Sequence, residues 1–193
     1  MLNLNNIKKF FDDRAQNWDD GNSDLSGAKK IVKQFSDLVT GCDILDIGCG
    51  TGVLTMPLQN AGAKSIVGID ISSEMINIAK EKFPQNTYIC EDILKWQSNK
   101  CFDTIFMYNV YPHLSNTDEL INKIWTLLKK DGHFIVAHGS SKENINSHHQ
   151  AHAMEVSRKL LKAEEEAQIW RKKFDVNIIR DNELYYFSGK KIN

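Results

Sequence analysis

Apolar residues along the chain form two patterns. In one they recur every three or four residues, and in the other they form short continuous runs. The repeats predict helices over residues 28–39, 53–62, 72–83 and 117–132, and helical structure over 142–172. The continuous runs predict strands over residues 43–47, 65–70, 87–92, 102–109, 133–139, 174–181 and 183–190. Ser72 and Ser73 are candidate N-caps of one helix, and Thr117 or Asp118 of another, which Gly132 is expected to end.

Strands that alternate with helices indicate a mostly parallel sheet, because each crossover helix lies against a face of the sheet. The last two strands have no crossover helix between them, which predicts an antiparallel C-terminal edge. We therefore predict an α/β, Rossmann-like fold with a seven-stranded, mostly parallel sheet. An antiparallel C-terminal edge strand and helices on both faces complete it.

Composition narrows the class of protein. The chain has 193 residues, which predicts a single domain over 1–193. Lys and Arg number 24 and Asp and Glu number 25, so a net charge of −1 gives no general attraction for nucleic acid or anionic lipid. The N-terminus is too polar for a signal peptide, and no apolar run approaches the roughly 18 residues of a membrane span. We predict a cytoplasmic monomer or homodimer without nucleic-acid or membrane partners.

Cysteine spacing argues against a structural zinc site. The four cysteines are far apart and form no C-x-x-C pair; they are Cys42, Cys49, Cys90 and Cys101. Reduced thiols of a cytosolic protein fit this pattern better than a disulfide framework.

Acidic residues follow three of the predicted parallel strands. Asp46, Asp70 and Asp92 lie at or near strand ends, and ligands of open parallel sheets bind outside those ends. Residues 48–52 form G-x-G-x-G, in which glycine permits positive φ and close approach of the backbone to a ligand. An acid about 20 residues later is placed for ribose hydroxyls, a feature shared with NAD-binding folds. Several acids together favour a ligand that brings amine, hydroxyl or sulfonium groups.

These motifs together resemble the class I S-adenosylmethionine-dependent methyltransferases. The stretch "ILDIGCGTG" is similar to the family's first motif, and "VGIDIS", "CEDI" and "LLKKDGHFIVA" resemble later ones, over about residues 3–139. The turn Lys130-Asp131-Gly132 stands where Pro-Gly-Gly is usual. The N-terminal "FFDDRAQNWDD" resembles a small-molecule subgroup related to the ubiquinone and menaquinone enzymes, through Phe11, Asp12, Ala15, Trp18 and Asp19.

The resemblance implies S-adenosylmethionine as cofactor, S-adenosylhomocysteine as product and a small-molecule acceptor. By position, Gly48 and Gly50 would line the methionine part and Asp46 would anchor the loop and the amino group. Asp70 would bind the ribose hydroxyls and Asp92 the adenine amine. The remaining cofactor-binding residues implied are Trp18, Cys49, Thr51, Gly52, Ile71, Met75, Ile93, Tyr108 and Asn109.

The N-terminal residues 1–27 are predicted to be a lid helix and linker, with Phe11 on the substrate side beside Trp18. The alternative is an N-terminal helix that packs its aromatic residues on the core. Residues 28–193 form the predicted Rossmann-like core, and 139–161 a substrate-side insertion.

Candidates for catalysis follow the fourth strand, in "YNVYPHLSN". This stretch lacks the [DN]-P-P-[YFW] pattern of amide and DNA amino-group methyltransferases. Methyl transfer needs a base only when the acceptor loses a proton, and His113 is the candidate base with Tyr111 beside it. A loop histidine without chemistry is the alternative. His138 ends the fifth strand and is predicted to face the same opening.

Three further histidines share a predicted helix. His148 and His152 are four residues apart, and His149 and His152 are three apart, so that each pair shares a face. Substrate contact, a metal and a solvated face all remain open for them, and no metal site is predicted.

Two functions of other classes compete with a small-molecule methyltransferase. An RNA or protein methyltransferase predicts a basic face or a recognition domain. A non-catalytic, S-adenosylmethionine-binding regulatory protein predicts a blocked acceptor side.

Overall fold

A seven-stranded sheet forms the centre of the molecule in the computed structural model, which describes residues 2–21 and 24–192. Its strands are β1 (Asp43–Ile47), β2 (Ser65–Asp70), β3 (Thr87–Cys90), β4 (Phe102–Tyr108), β5 (Leu128–His138), β6 (Phe174–Asp181) and β7 (Tyr185–Lys191). Their order across the sheet is β3-β2-β1-β4-β5-β7-β6. Strands β1 to β5 pair in parallel, and β7 is antiparallel to both β5 and β6. The predicted α/β, Rossmann-like fold is confirmed, with β7 one place inside the edge and β6 at the edge.

Helices cover both faces of this sheet. They are α1 (Leu4–Asp12), α2 (Trp18–Gly21), α3 (Leu25–Gln34), α4 (Thr55–Asn60), α5 (Ser73–Lys82), α6 (Thr117–Leu127), α7 (Lys142–His152) and α8 (Ala163–Trp170). Successive residues of β5 point to opposite faces of the sheet. Phe134 and Val136 belong to the core between the sheet and helices α6 and α8, and Ile135 and Ala137 belong to the core between the sheet and helix α3. Residues 22 and 23 of the predicted linker, and the chain ends 1 and 193, lie outside the described residues.

The predicted helix over 117–132 is too long. Helix α6 ends at Leu127, and Leu128 begins β5 opposite Phe102. The Lys129 ammonium lies 2.9 Å from Asp43 on β1 and 2.8 Å from Asp103 on β4. Strand pairing and these ion pairs therefore override the helical periodicity of the sequence.

Two further boundaries differ from the sequence prediction. The N-cap of α6 is Asn116, whose side chain accepts from the Glu119 N–H at 3.3 Å, so neither Thr117 nor Asp118 caps it. The region 142–172 is not one helical stretch, because an irregular segment separates α7 from α8. Ser72 caps α5 as predicted, accepting from the Met75 N–H at 3.2 Å.

Candidate functional site

The carboxyl ends of β1, β2, β3 and β4 border one cavity. Fourteen of the residues singled out in the sequence line it: Phe11, Trp18, Gly48, Cys49, Gly50, Thr51, Asp70, Ile71, Met75, Asp92, Ile93, Tyr108, Asn109 and His113. Parallel strands bring these distant positions together because their carboxyl ends share one edge of the sheet.

The glycine loop after β1 has the backbone that its sequence predicts. Gly48, Gly50 and Gly52 have φ values of +67°, +52° and +89°. A Cβ at Gly48 would lie 2.2 Å from a methyl of Val110, so no other residue fits there without displacement. A Cβ at Gly50 would meet nothing within 4 Å, which leaves the loop backbone open towards the cavity.

Asp70 joins the glycine loop to helix α5. One carboxylate oxygen accepts from the Gly50 N–H and the other from the Ser72 N–H, both at 2.9 Å. Burial raises the pKa of Asp70, and these backbone donors partly offset that rise. Each oxygen keeps capacity for another hydrogen bond, so the carboxylate can accept from a ligand while it holds the loop.

Asp46 lies behind this loop. It is 2% exposed and, among the residues described, neither it nor Gly52 lines the cavity. Burial and the nearby charge of Asp70 hold the pKa of Asp46 well above its usual range. Its predicted contact with a cofactor amino group stays a prediction.

Asp92 reaches the cavity from beyond the end of β3, which stops at Cys90. Its carboxylate accepts from the Leu94 N–H at 3.0 Å, which turns the chain so that Ile93 also lines the cavity. Ile71 lies on the same wall, which places apolar side chains near two carboxylates.

Tyr108 and Asn109 form the wall after β4. The Tyr108 hydroxyl donates to Asp24 at 2.7 Å, and burial raises the pKa of Tyr108. Asn109 has φ of +53°, and its side-chain oxygen accepts from the Gly139 N–H at 3.1 Å. Asp24 was missed by the sequence analysis, although it is the N-cap of α3 and accepts from the Gly27 N–H.

The N-terminal segment lies over this cavity. The Phe11 ring centroid is 5.5 Å from that of Trp18 and 5.1 Å from that of His113. Asp12 accepts from the Ser72 hydroxyl at 2.6 Å, at the start of α5. Asp19 accepts from the Thr51 hydroxyl at 2.7 Å, within the glycine loop.

The covered cavity measures about 120 Å³, which is below the roughly 300–1,000 Å³ of typical ligand pockets. Entry of a nucleoside-sized ligand therefore requires the N-terminal segment to move.

A second cavity of about 1090 Å³ adjoins the first. The two share five wall residues, which are Phe11, Trp18, Asp24, Asn109 and His113. Four other histidines line the second cavity alone: His138, His148, His149 and His152. The described residues contain no group of three or more His, Cys, Asp or Glu side chains arranged to hold a metal ion.

His113 lies in the wall between the cavities. Its Nδ1 lies 2.8 Å from the Val156 carbonyl oxygen, which can only accept, so Nδ1 carries the proton and Nε2 has the lone pair. Burial lowers the pKa of His113 to about 4, and burial followed by the neighbouring His149 lowers that of His138 to about 3. Both imidazoles are therefore neutral at pH 7.

Tyr111 lines neither cavity within the described part of the chain. It is fully buried, its hydroxyl donates to Glu166 at 3.0 Å, and the Trp170 indole N–H donates to it at 3.1 Å. No spacing in the sequence pairs Tyr111 with Glu166, which is 55 residues away.

Acidification should destabilise the protein. The folded-state pKa values of His113 and His138 lie below the ordinary 6.5, so the unfolded chain binds more protons as pH falls from about 6.5 towards 4. Each histidine should then cost about 1.4 kcal/mol of unfolding free energy per pH unit across that window. Urea unfolding at pH 7, 6 and 5 measures it. His138→Asn should flatten the dependence, whereas the exposed His152→Asn should not; equal slopes in all three proteins would contradict the assignment.

Comparisons with known proteins agree with this geometry. A family model described as "Methyltransferase domain" matches residues 38–187. A malonyl-[acyl-carrier protein] O-methyltransferase of Priestia megaterium is 31% identical over 138 residues, covering 68% of this chain and 50% of that protein. A mitochondrial ubiquinone biosynthesis O-methyltransferase of Rattus norvegicus is 32% identical over 108 residues, covering 51% of this chain and 31% of that protein.

The fold is shared with solved methyltransferase structures. Magnesium protoporphyrin IX methyltransferase of Synechocystis PCC 6803, crystallised with S-adenosylhomocysteine, superposes with a TM-score of 0.71 at 18% identity. That match covers 98% of this chain and 99% of the other.

The chain spans between about a quarter and a half of the length of the first curated relatives that it matches. No helix in the described residues is long and apolar enough to cross a membrane. The family match over most of the chain confirms the predicted methyltransferase family, and the chain belongs to the methyltransferase domain family and has its Rossmann-like fold.

Proposed function

We propose that this protein transfers a methyl group from S-adenosylmethionine to a small-molecule acceptor. The observation that carries the proposal is the pair of adjoining cavities. One is lined by the glycine loop and strand-end carboxylates and the other is wide enough for an acceptor. Their shared wall, which includes Phe11 and His113, is where donor and acceptor would meet. Residues 1–193 would act as one methyltransferase domain.

The charges in the first cavity suit this cofactor. Its lining includes four carboxylates, from Asp24, Asp70, Glu91 and Asp92, and no Lys or Arg among the residues described. A ligand with ammonium and sulfonium groups is attracted there, whereas the pyrophosphate of a dinucleotide would find no cationic side chain. Apolar residues such as Ile71 and Ile93 provide a surface for adenine.

The chemistry asks little of the chain beyond position. When bound, S-adenosylmethionine supplies a methyl group that its sulfonium already activates. The acceptor's lone pair would form the new bond to that carbon while the carbon–sulfur bond breaks with its electron pair on sulfur, and the acceptor would lose its proton. The walls hold the two molecules together and exclude water. His113 would take the proton at Nε2, so the acceptor is one with an O–H or N–H to lose.

The segment 139–161 would select the acceptor. Helix α7 and the turn before it contribute Ser140, Asn144 and Ile145 to the second cavity, together with the helix histidines. His138 also lines this cavity and is 2% exposed. These side chains offer hydrogen-bonding groups and ring faces to a small molecule.

The two competing functions have less support. An RNA or protein substrate would need entry past the N-terminal segment, which lies over the reaction site. A regulatory protein without turnover would need no second cavity beside the first. A cytoplasmic location and a monomeric or dimeric state stay part of the proposal.

Calorimetry tests the cofactor directly. We expect S-adenosylmethionine and S-adenosylhomocysteine to bind and NAD to give no heat of binding. Tight binding of NAD with no response to S-adenosylhomocysteine would overturn the proposal. Once S-adenosylhomocysteine is shown to bind, a thermal-shift screen of small molecules in its presence would identify the acceptor.

Deleting residues 2–20 should weaken S-adenosylhomocysteine binding by at least about tenfold. The deletion removes Phe11 and Trp18 from the cavity wall, and burial of such side chains contributes about 1.5–3 kcal/mol each. Titration calorimetry of the full and shortened chains measures the change.

Two point variants of neighbouring carboxylates provide a matched comparison for the deletion experiment. Asp12→Asn disturbs the contact with Ser72 on α5 and should weaken binding in the same direction. Asp13→Asn removes an exposed carboxylate whose ion pair is with Lys9 on the same helix, and should have no effect. A shortened chain that binds as tightly as the full chain would show that the N-terminal segment is not a lid.

A further inference from the structure

A buried ion pair lies beside His113, in the layer between the sheet and the segment that joins α7 to α8. The Arg158 guanidinium meets the Glu166 carboxylate through two contacts, of 2.5 Å and 3.2 Å. The Glu166 side chain is 1% exposed and that of Arg158 is 28% exposed. A carboxylate so far from solvent requires an explanation, because burying its charge costs solvation free energy even beside a partly exposed guanidinium.

Tyr111 completes this network. Its hydroxyl donates to Glu166 at 3.0 Å, and the Arg158 guanidinium lies 4.5 Å from the centre of its ring. The Leu161 N–H also donates to Glu166, at 3.3 Å. The Glu166 carboxylate therefore accepts from four donor atoms of three residues: Tyr111 on the turn after β4, Arg158, and Leu161 just before α8.

The same short segment controls the orientation of His113. The Arg158 N–H donates to the Pro112 carbonyl at 2.9 Å, immediately before His113 in the chain. Two residues earlier, the Val156 carbonyl accepts from the His113 Nδ1–H at 2.8 Å. Residues 156–158 thus hold both the backbone and the ring at this turn, and Glu166 holds residues 156–158 through Arg158.

Stability alone does not account for the pair. A buried ion pair is often no more stabilising than apolar side chains of similar size, which could fill the same space beside Trp170. Directional hydrogen bonds do what apolar packing cannot, because they fix the register of one segment against another. Here they hold the segment 156–158, whose Val156 carbonyl decides which nitrogen of His113 carries the proton.

We propose that Tyr111, Arg158 and Glu166 are positioning residues that set the tautomer and orientation of His113, so that its Nε2 lone pair faces the acceptor. This rests on the proposed function, in which His113 takes the acceptor's proton. Tyr111 would then act through the position of His113, without contacting the reacting atoms.

The test measures which ring nitrogen of His113 carries the proton, and it needs no acceptor molecule. Nitrogen-15 NMR of the histidine side chains in the full chain should show His113 as the Nδ1–H tautomer at pH 7. Glu166→Gln keeps the size of the side chain and removes its charge. We expect the Nδ1–H tautomer to fall below about half of the population in this variant. The pKa of His113 should fall below its value in the unaltered protein, because the hydrogen bond from Nδ1 to the Val156 carbonyl raises that pKa and would be weakened.

Helix α8 offers a matched control. Glu164 forms an ion pair with Arg171 at 2.5 Å on the exposed side of the same helix, with 62% of its side chain exposed. Glu164→Gln should leave the His113 spectrum unchanged. If Glu166→Gln does not fold, Tyr111→Phe removes one hydrogen bond of the network and should shift the tautomer in the same direction.

Two results separate this inference from the proposed function. A folded Glu166→Gln or Tyr111→Phe protein with an unchanged His113 tautomer and pKa would overturn the positioning role. S-adenosylhomocysteine binding, measured on the same samples, should change less than about threefold. Failure of the unaltered protein to bind it would instead contradict the proposed function, whatever the NMR result.

Discussion

Asp70→Ala should weaken S-adenosylhomocysteine binding by well over tenfold. The carboxylate sits at the end of β2, holds the Gly50 and Ser72 N–H groups at 2.9 Å, and has capacity for two ribose hydroxyls. Hydrogen bonds to a charged group contribute about 1.5–3 kcal/mol each, and each 1.4 kcal/mol corresponds to a factor of ten in affinity. Loss of the hydrogen bonds to the ribose and loosening of the glycine loop both lower the affinity for S-adenosylhomocysteine. Titration calorimetry measures the result.

A second carboxylate serves as the control for Asp70. Asp37 is exposed in the turn that precedes β1, at the opposite edge of the sheet. Asp37→Ala should bind S-adenosylhomocysteine as the unaltered protein does. An Asp70→Ala protein that is folded, by circular dichroism and thermal unfolding, and that binds with unchanged affinity would place the ribose elsewhere.

His113→Ala should lower turnover by about a hundredfold or more, with nearly unchanged affinity for S-adenosylhomocysteine. General-base catalysis contributes roughly 10²–10⁴ to a rate, and that contribution is made in the transition state. Turnover is measured with an acceptor found by the thermal-shift screen, and affinity by calorimetry. Because the pKa of His113 is lowered to about 4, the lone pair stays available throughout the neutral range. The acidic limb of the rate profile should therefore lie below pH 5.

His133→Ala is the matched change for His113→Ala. His133 lies near the start of the paired part of β5, opposite Thr104, and far along the strand from the cavities. Its replacement should leave turnover unchanged. A His113→Ala protein that loses affinity for S-adenosylhomocysteine as much as turnover would show that the ring shapes the cofactor cavity and is not a base.

The two cavities give these predictions a common physical basis. Phe11 and His113 belong to both, so a change in the N-terminal segment reaches the acceptor side through direct ring contact at 5.1 Å. Binding of the cofactor would order that segment and complete the acceptor wall in one step. Lids that close in this way generally sequester the reaction from water.

The lining of the first cavity was largely predictable from the sequence. Its signals are local: a glycine run that needs positive φ, and acids that follow short apolar runs. Parallel strands align their carboxyl ends, so Asp70 and Asp92 reach one cavity without any long-range information beyond the alternation of strands and helices. The motif acids Asp12 and Asp19 were visible too, although only the structure shows that they bond to Ser72 and Thr51.

The tertiary structure alone decided where β5 begins and what surrounds His113 and Tyr111. Leu128 to Lys130 carry helical periodicity, yet pairing with β4 and the Asp43 and Asp103 carboxylates draws them into β5. The proton position on His113 depends on a carbonyl 43 residues away, and Tyr111 turns from the cavities towards Glu166. The sequence by itself determined the sheet, the glycine loop and the strand-end acids, because each follows from residues that are neighbours in the chain. Which nitrogen of His113 keeps the lone pair, and where the Tyr111 hydroxyl bonds, follow from contacts between distant segments, which no local pattern encodes.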